Sequence, residues 1–203
     1  MEIQVGRIIR SSTTRFAVGC RVLRPEVPVF GGLVKVQVLD DEVYGLIHDV
    51  RMEDDPYVRQ IAALDEVRPE YIEDQRRNRQ VPIEVGVLVV GYRRAGAIIH
   101  RLPPQPPLSL DVLYTCPAEE LAEFTERFDY FRLVLDNRDL PADELLAANL
   151  RYAAEAREEG EYFLLDAGRE LARLLALDLV RLDGLLRRIR WTGKGERGQD
   201  AGS

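Results

Sequence analysis

The stretch "LVKVQVLDDEVYGLI", from Leu33 to Ile47, holds two runs rich in apolar residues with an acidic turn between them. Val34, Val36 and Val38 alternate with polar residues in the first run, and a period of two is typical of a strand with one buried face. Asp tolerates turn geometry and bonds to its own backbone, so the acidic residues favour a tight turn. The stretch therefore predicts an antiparallel hairpin.

The same alternation recurs on both sides of this hairpin. Its apolar positions are Phe16, Val18, Cys20 and Val22 upstream, and Ile83, Val85, Val87 and Val89 downstream. Several short strands joined by turns predict a small antiparallel β-barrel or β-sandwich. Between them, Asp55 fits a helix N-cap and Pro56 fits the first helical position, so the segment at about 55–80 is predicted as a helical insertion.

The second half of the chain has helical spacing instead. Pro117 fits the start of a helix whose apolar residues recur at intervals of three and four from Leu121 to Leu135. Pro141 fits the start of another helix, which Gly160 is placed to end.

A last helix or helix pair covers 162–191. Its leucine rhythm from Leu175 to Ile189 spans only two heptads, which favours packing within the domain over a coiled coil.

These patterns predict an α+β protein. A small antiparallel barrel with its helical insertion occupies 1–107, and the proline-rich "HRLPPQPP" at 100–107 ends it because proline enters neither a helix nor a central strand. An all-α region follows at 108–191, and the Gly-rich polar tail at 192–203 is predicted to be disordered.

Composition limits the class of protein. The 203 residues are 46% hydrophobic and 31% charged, which is typical of a folded soluble chain. Residues 1–107 carry no net charge, so the whole formal charge of −7 lies in 108–203, and that argues against a protein that coats nucleic acid. The sequence shows no secretion signal and no apolar run long enough to span a membrane, and its two cysteines, Cys20 and Cys116, lie far apart. These features predict a cytoplasmic protein with free thiols.

Two features suggest chemistry. The acidic trio Glu53–Asp55 could ligate a hard cation, but neighbouring side chains of an extended chain point to opposite faces, which favours a strand end and helix cap. His48 and His100 lie in or beside strand-like runs without a nucleophile motif, which favours surface or core-edge histidines. No catalytic residue, cofactor or metal is predicted.

Basic residues form clusters that could contact phosphate. They are Arg76, Arg77, Arg79, Arg93 and Arg94. Charge runs are usually solvated faces, and acidic residues precede the first cluster.

Four stretches resemble one family. They are "VGRIIRSSTTRFAV" (5–18), "VPVFGGLVKVQV" (27–38), "VYGLI" (43–47) and the proline-rich exit "RLPPQPP" (101–107). The first 107 residues thereby resemble the HAS-barrel, the small β-barrel at the N-terminus of HerA-type DNA translocases and of rotary ATP-synthase subunits. The resemblance implies a barrel that packs into a ring collar and docks partners such as a NurA-type nuclease.

The resemblance does not imply ATPase activity. In the family that chemistry lies in a following P-loop domain, and 108–203 contain no G-x-x-x-x-G-K-[ST] loop.

We therefore expect a non-enzymatic interaction or adaptor module of DNA processing. Its partner would be a HerA-like ring ATPase, a NurA-like nuclease or a second copy of itself, and no membrane is expected. One alternative is a nucleic-acid-binding accessory barrel, with Phe16, Tyr44 and Tyr92 as stacking platforms beside Arg93 and Arg94.

A further alternative is an enzyme of unrecognised type. Its hydrolytic or metal site would combine His48 with Asp49 and the acidic trio, if the fold brought these residues together.

Overall fold

The computed structural model describes residues 2–21, 28–52 and 82–190. The predicted insertion at about 55–80, including the acidic trio, and the predicted tail at 192–203 lie outside these residues. The chain forms two compact units, Met1–Pro117 and Ala118–Ser203.

The first unit is a closed antiparallel barrel. Its described strands are β1 (Gln4–Ser11), β2 (Arg15–Arg21), β3 (Leu33–Val38), β4 (Asp41–Met52), β5 (Pro82–Arg94), β6 (Ala97–Ile99) and β7 (Val112–Thr115). Six of them form the ring β1–β7–β3–β4–β5–β2, which closes because β2 pairs with both β5 and β1. β6 continues the sheet from β5 as a hairpin. The predicted antiparallel barrel is confirmed.

Strand β7 lies beyond the predicted boundary at Pro107. It pairs with β1 and with β3, so the first unit extends to Pro117. With four residues, of which Leu113 alone is fully buried, β7 is too short to show an alternation in the sequence.

The barrel interior is filled by the predicted alternating positions. Val22 lies outside the described residues, and the remaining ten are buried in one cluster: Phe16, Val18, Cys20, Val34, Val36, Val38, Ile83, Val85, Val87 and Val89. Strands in a small barrel leave room only for side chains in the interior, which explains the preference for valine. Cys20 and Cys116 are free thiols, as predicted.

The predicted hairpin turn joins β3 to β4 in two residues, Leu39 and Asp40. Leu39 has a backbone φ of 54°, in the left-handed region that glycine adopts without a steric penalty. Its side chain is 76% exposed, so packing does not compensate for this strain.

Replacing Leu39 with glycine should therefore stabilise the protein by about 1 kcal/mol, since a left-handed residue with a Cβ costs about that much. The measurement is urea unfolding of the full chain. Leu39→Ala keeps the Cβ and is the matched control, with an expected change within about 0.5 kcal/mol. Equal effects of the two substitutions would contradict this account of the turn.

The second unit holds five helices in its described part. They are α1 (Ala118–Phe124), α2 (Phe131–Leu135), α3 (Ala142–Glu155), α4 (Gly160–Leu174) and α5 (Leu179–Arg188). The α3 helix supplies the centre of this unit, since nine of its residues are buried.

Two helix predictions were wrong in their boundaries. The single helix predicted through Leu135 breaks after Phe124, where the Thr125 hydroxyl donates to the Leu121 carbonyl at 2.6 Å. Aromatic rings then pack against one another across the break, with centroids 5.4 Å apart for Phe124 and Tyr130. Gly160 begins α4 instead of ending α3.

Arg157, between α3 and α4, joins three parts of the helical unit. Its guanidinium donates to the carbonyls of Ala122 (2.5 Å) and Ala153 (2.6 Å) and to the Thr125 hydroxyl (2.7 Å). It also lies 4.0 Å from the ring centroid of Phe163. Burial lowers the pKa of Arg157, but the guanidinium remains charged.

Arg157→Ala should destabilise the protein by about 2–3 kcal/mol, because hydrogen bonds from a charged donor are among the stronger ones and buried acceptors would lose their partner. Chemical unfolding measures this. Arg127→Ala is the control: its ion pair with Asp129 is exposed, so a loss within about 0.5 kcal/mol is expected. Similar losses for both variants would contradict a bridging role for Arg157.

Candidate functional site

One end of the barrel wall carries a polar pocket of about 370 Å³. The β1–β2 hairpin, the second half of β4 and the first half of β5 form it. Its polar and charged members are Arg10, Ser11, Ser12, Arg15, His48, Asp49, Arg51 and Glu84. Residues that lie far apart in the sequence meet here because β5 pairs with β2 on one side and with β4 on the other.

His48 enters the pocket through a β-bulge. In the β4–β5 ladder Ile47 lies opposite Val87 and Asp49 lies opposite Gly86, so His48 is an extra residue without a partner position. A bulge of this kind bends the strand and redirects a side chain. The sequence shows no signal for it, because β4 is buried at consecutive positions from Val43 to Ile47 and has no alternation that an inserted residue could interrupt.

Gly86 makes room for the imidazole. A Cβ at this position would lie 2.8 Å from Cε1 and 2.9 Å from Nε2 of His48. Both distances are shorter than a Cβ atom makes to a non-bonded atom, so the imidazole would have to move. The glycine therefore lets His48 pack directly on the backbone of β5.

The pocket contains both signs of charge. Arg10 forms an ion pair with Glu84, and Arg51 Nε lies 2.5 Å from a carboxylate oxygen of Asp49. Arg15 is half-buried at the start of β2. Three guanidinium groups thus share the pocket with two carboxylates.

Burial lowers the pKa of His48 below its ordinary value of 6.5. The charge of Asp49 opposes this shift, whereas Arg15 and Arg51 add to it. The neutral form of the imidazole therefore predominates at pH 7.

The pH dependence of folding should report this shift. A histidine whose pKa is lower in the folded state stabilises the fold above pH 6.5, and that contribution is lost as the pH falls below 6.5. We expect an NMR titration midpoint for His48 below 6.5. We also expect that acidification lowers the free energy of unfolding less in the His48→Gln variant than in the parent chain. A midpoint at or above 6.5 would contradict the assignment of a neutral imidazole.

The predicted phosphate-contacting residues lie elsewhere or outside the described residues. Arg93, at the other end of β5, donates to the Tyr44 hydroxyl at 2.9 Å and lies 3.2 Å from Glu42. Arg94 binds both carboxylate oxygens of Asp41, at 2.8 and 2.6 Å. Phosphate contact by these residues stays a prediction.

Arg76, Arg77 and Arg79 fall in the part of the chain that the structure does not describe. Phosphate contact by them also stays a prediction.

The aromatic residues of the nucleic-acid hypothesis present little surface. Tyr44 is fully buried and Phe16 is 3% exposed, so neither ring has a face open for base stacking. Tyr92 is half-buried, and the Arg94 guanidinium lies 5.2 Å from its ring centroid.

The residues of the enzyme hypothesis are brought together only in part. His48 and Asp49 line the same pocket, whereas the acidic trio lies outside the described residues and His100 follows β6. Among residues 2–21, 28–52 and 82–190, no three His, Cys, Asp or Glu side chains gather as metal ligands would.

The helical unit carries an apolar groove of about 530 Å³ between α4 and α5. Its apolar members are Leu164, Leu165, Ala172, Leu186 and Ile189. The predicted packing of the leucine rhythm within the domain applies to Leu175 and Ile189, which are buried, but Leu179 is 68% exposed and Leu186 is 37% exposed.

No protein-family model matches the chain, and no curated protein sequence matches it. None of the helices in the described residues has the length and apolar character that crossing a membrane requires.

Proposed function

We propose that the chain is a non-enzymatic interaction module of DNA processing that docks on a HerA-like ring ATPase. The observation that supports docking is the groove between α4 and α5. Leu165 is 54% exposed there, and Tyr162, one turn earlier on α4, is 68% exposed. Exposed apolar side chains beside a groove on a folded unit are typical of a protein contact.

The ring ATPase is the first candidate partner because of the resemblance to the HAS-barrel. Barrels of that family form a collar and dock partners, so the barrel would supply one contact and the helical groove a second. A NurA-like nuclease and a second copy of the chain are the other partners that the resemblance suggests.

Light scattering on a sizing column tests this proposal. The chain is measured alone, with a HerA-type ATPase and with a NurA-type nuclease. We expect a hexamer-sized species or a mass shift on addition of the ATPase. A mass of 23.1 kDa that no candidate partner changes would overturn the proposal.

The groove variant Leu165→Glu/Leu186→Glu should weaken such a complex about tenfold or more, because two carboxylates would lose their hydration in the interface. Ala176→Glu adds a carboxylate to the exposed loop between α4 and α5 and is the matched control. Binding that is unchanged in the groove variant would exclude the groove as the contact.

The alternative, a nucleic-acid-binding accessory barrel, draws its support from the three arginines of the barrel pocket. Titration with a labelled single strand at two salt concentrations tests it, because phosphate contacts weaken steeply with salt. No binding at low salt would exclude this alternative.

A further inference from the structure

We propose that the pocket between the β1–β2 hairpin, β4 and β5 binds a terminal phosphate group, as carried by a nucleotide or by the 5′ end of a nucleic-acid strand. This site goes beyond the docking proposal and does not depend on it.

The first support is the supply of hydrogen-bond donors. A guanidinium has five N–H groups in a planar fork that fits phosphate oxygens. The closest contact of Arg10 with Glu84 is made by one terminal nitrogen, and that of Arg51 with Asp49 is made by Nε. Their remaining N–H groups can reach a ligand that enters the pocket.

Existing ion pairs do not prevent this. The Arg10 and Arg51 side chains are 68% and 72% exposed, whereas their partners Glu84 and Asp49 are 19% and 32% exposed. A phosphate that enters from solvent can therefore share the two guanidinium groups with these carboxylates without displacing them. A charge-assisted contact to phosphate is stronger than a hydrogen bond between neutral groups, and Arg can make it through two parallel hydrogen bonds.

The hairpin that carries Arg10 and Arg15 is held in shape before any ligand binds. Ser12 Oγ accepts from the backbone N–H groups of Thr14 (3.3 Å) and Arg15 (3.1 Å) and donates to the Arg15 carbonyl (3.0 Å). The Ser11 hydroxyl donates to the Pro107 carbonyl at 2.6 Å. A backbone fixed in this way loses little conformational entropy on binding.

The donor set and the histidine favour phosphate over a carboxylate as the ligand. Three guanidinium groups line the pocket beside His48. A phosphate monoester carries a charge of about −1.5 to −2 at pH 7, so it would favour protonation of the imidazole more strongly than a carboxylate with its single charge.

The charged side chains that line the pocket with His48 come from every strand around it. They are Arg10 from β1, Arg15 from β2, Asp49 and Arg51 from β4, and Glu84 from β5. Binding of a dianion should be accompanied by proton uptake at this histidine, to a greater extent than binding of a monoanionic carboxylate.

The pocket also has a suitable size. Its volume of about 370 Å³ falls at the lower end of the range of about 300–1,000 Å³ for small-molecule sites. It can hold a phosphate with part of the group that carries it.

The test is calorimetric titration of the full chain with four probes. They are inorganic phosphate, adenosine 5′-monophosphate, a 5′-phosphorylated single strand and the same strand with a 5′-hydroxyl. We expect binding of at least one phosphomonoester and, at pH 7, a shift of the His48 NMR signals towards those of the imidazolium. The proposal would be overturned if the two strands bound with equal affinity while inorganic phosphate and adenosine 5′-monophosphate did not bind. It would also be overturned if none of the four probes bound.

The two phosphorylated probes separate the sources of the phosphate. Tighter binding of the monophosphate assigns the site to a free nucleotide, and tighter binding of the phosphorylated strand assigns it to a strand end. Either result supports the site.

Arg51→Gln and, separately, Arg10→Gln should weaken phosphate binding about tenfold or more, since each removes a charged donor. Both side chains are exposed, so thermal unfolding should show an intact fold. Arg132→Gln, at an exposed position of α2, is the matched control and should bind like the parent chain. Unchanged binding in both pocket variants would also overturn the proposal.

Discussion

The pairing of β2 with β5 is the constraint on which the first unit depends. Seven residue pairs, from Arg15 opposite Leu88 to Arg21 opposite Pro82, join strands that are distant in the sequence. This pairing converts a six-stranded sheet into a ring and removes its two open edges. Without it, β1 and β2 would be a hairpin attached through β7 alone, and the valine-rich interior would lose one of its walls.

Ring closure also creates the pocket. Gly86 lies opposite Ala17 of β2 and opposite Asp49 of β4, so a single position of β5 sets the distance between the two neighbouring strands. Glu84, two residues earlier, lies opposite Gly19 on one side and Arg51 on the other. A change of register by one residue in either ladder would move these charges to the opposite face of the sheet.

The sequence was sufficient to predict what depends on near neighbours. The alternation from Val34 to Val38 and from Ile83 to Val89, with the turn at Leu39, predicted the strands of a small barrel or sandwich because each pattern is complete within a few residues. The sequence could not predict the β2–β5 register, the bulge at His48 or the half-buried position of Arg157, since these depend on residues far away in the chain. The pocket arginines were missed for the same reason: they are isolated in the sequence, although the "RSSTTR" hairpin with an arginine at each end was a signal.

The uneven charge of the chain restricts how an anionic ligand could be recognised. The whole formal charge of −7 lies in residues 108–203, whereas residues 1–107 are neutral, so the chain offers no long-range positive field to attract a polyanion. Recognition of phosphate would have to rest on short-range donors, and guanidinium groups carried by neighbouring strands of a closed barrel are donors of this kind. A polyanionic strand would gain little from the rest of this surface, because extended binding needs many phosphate contacts. The electrostatics therefore favour a ligand that presents one terminal phosphate over one that lies along the protein.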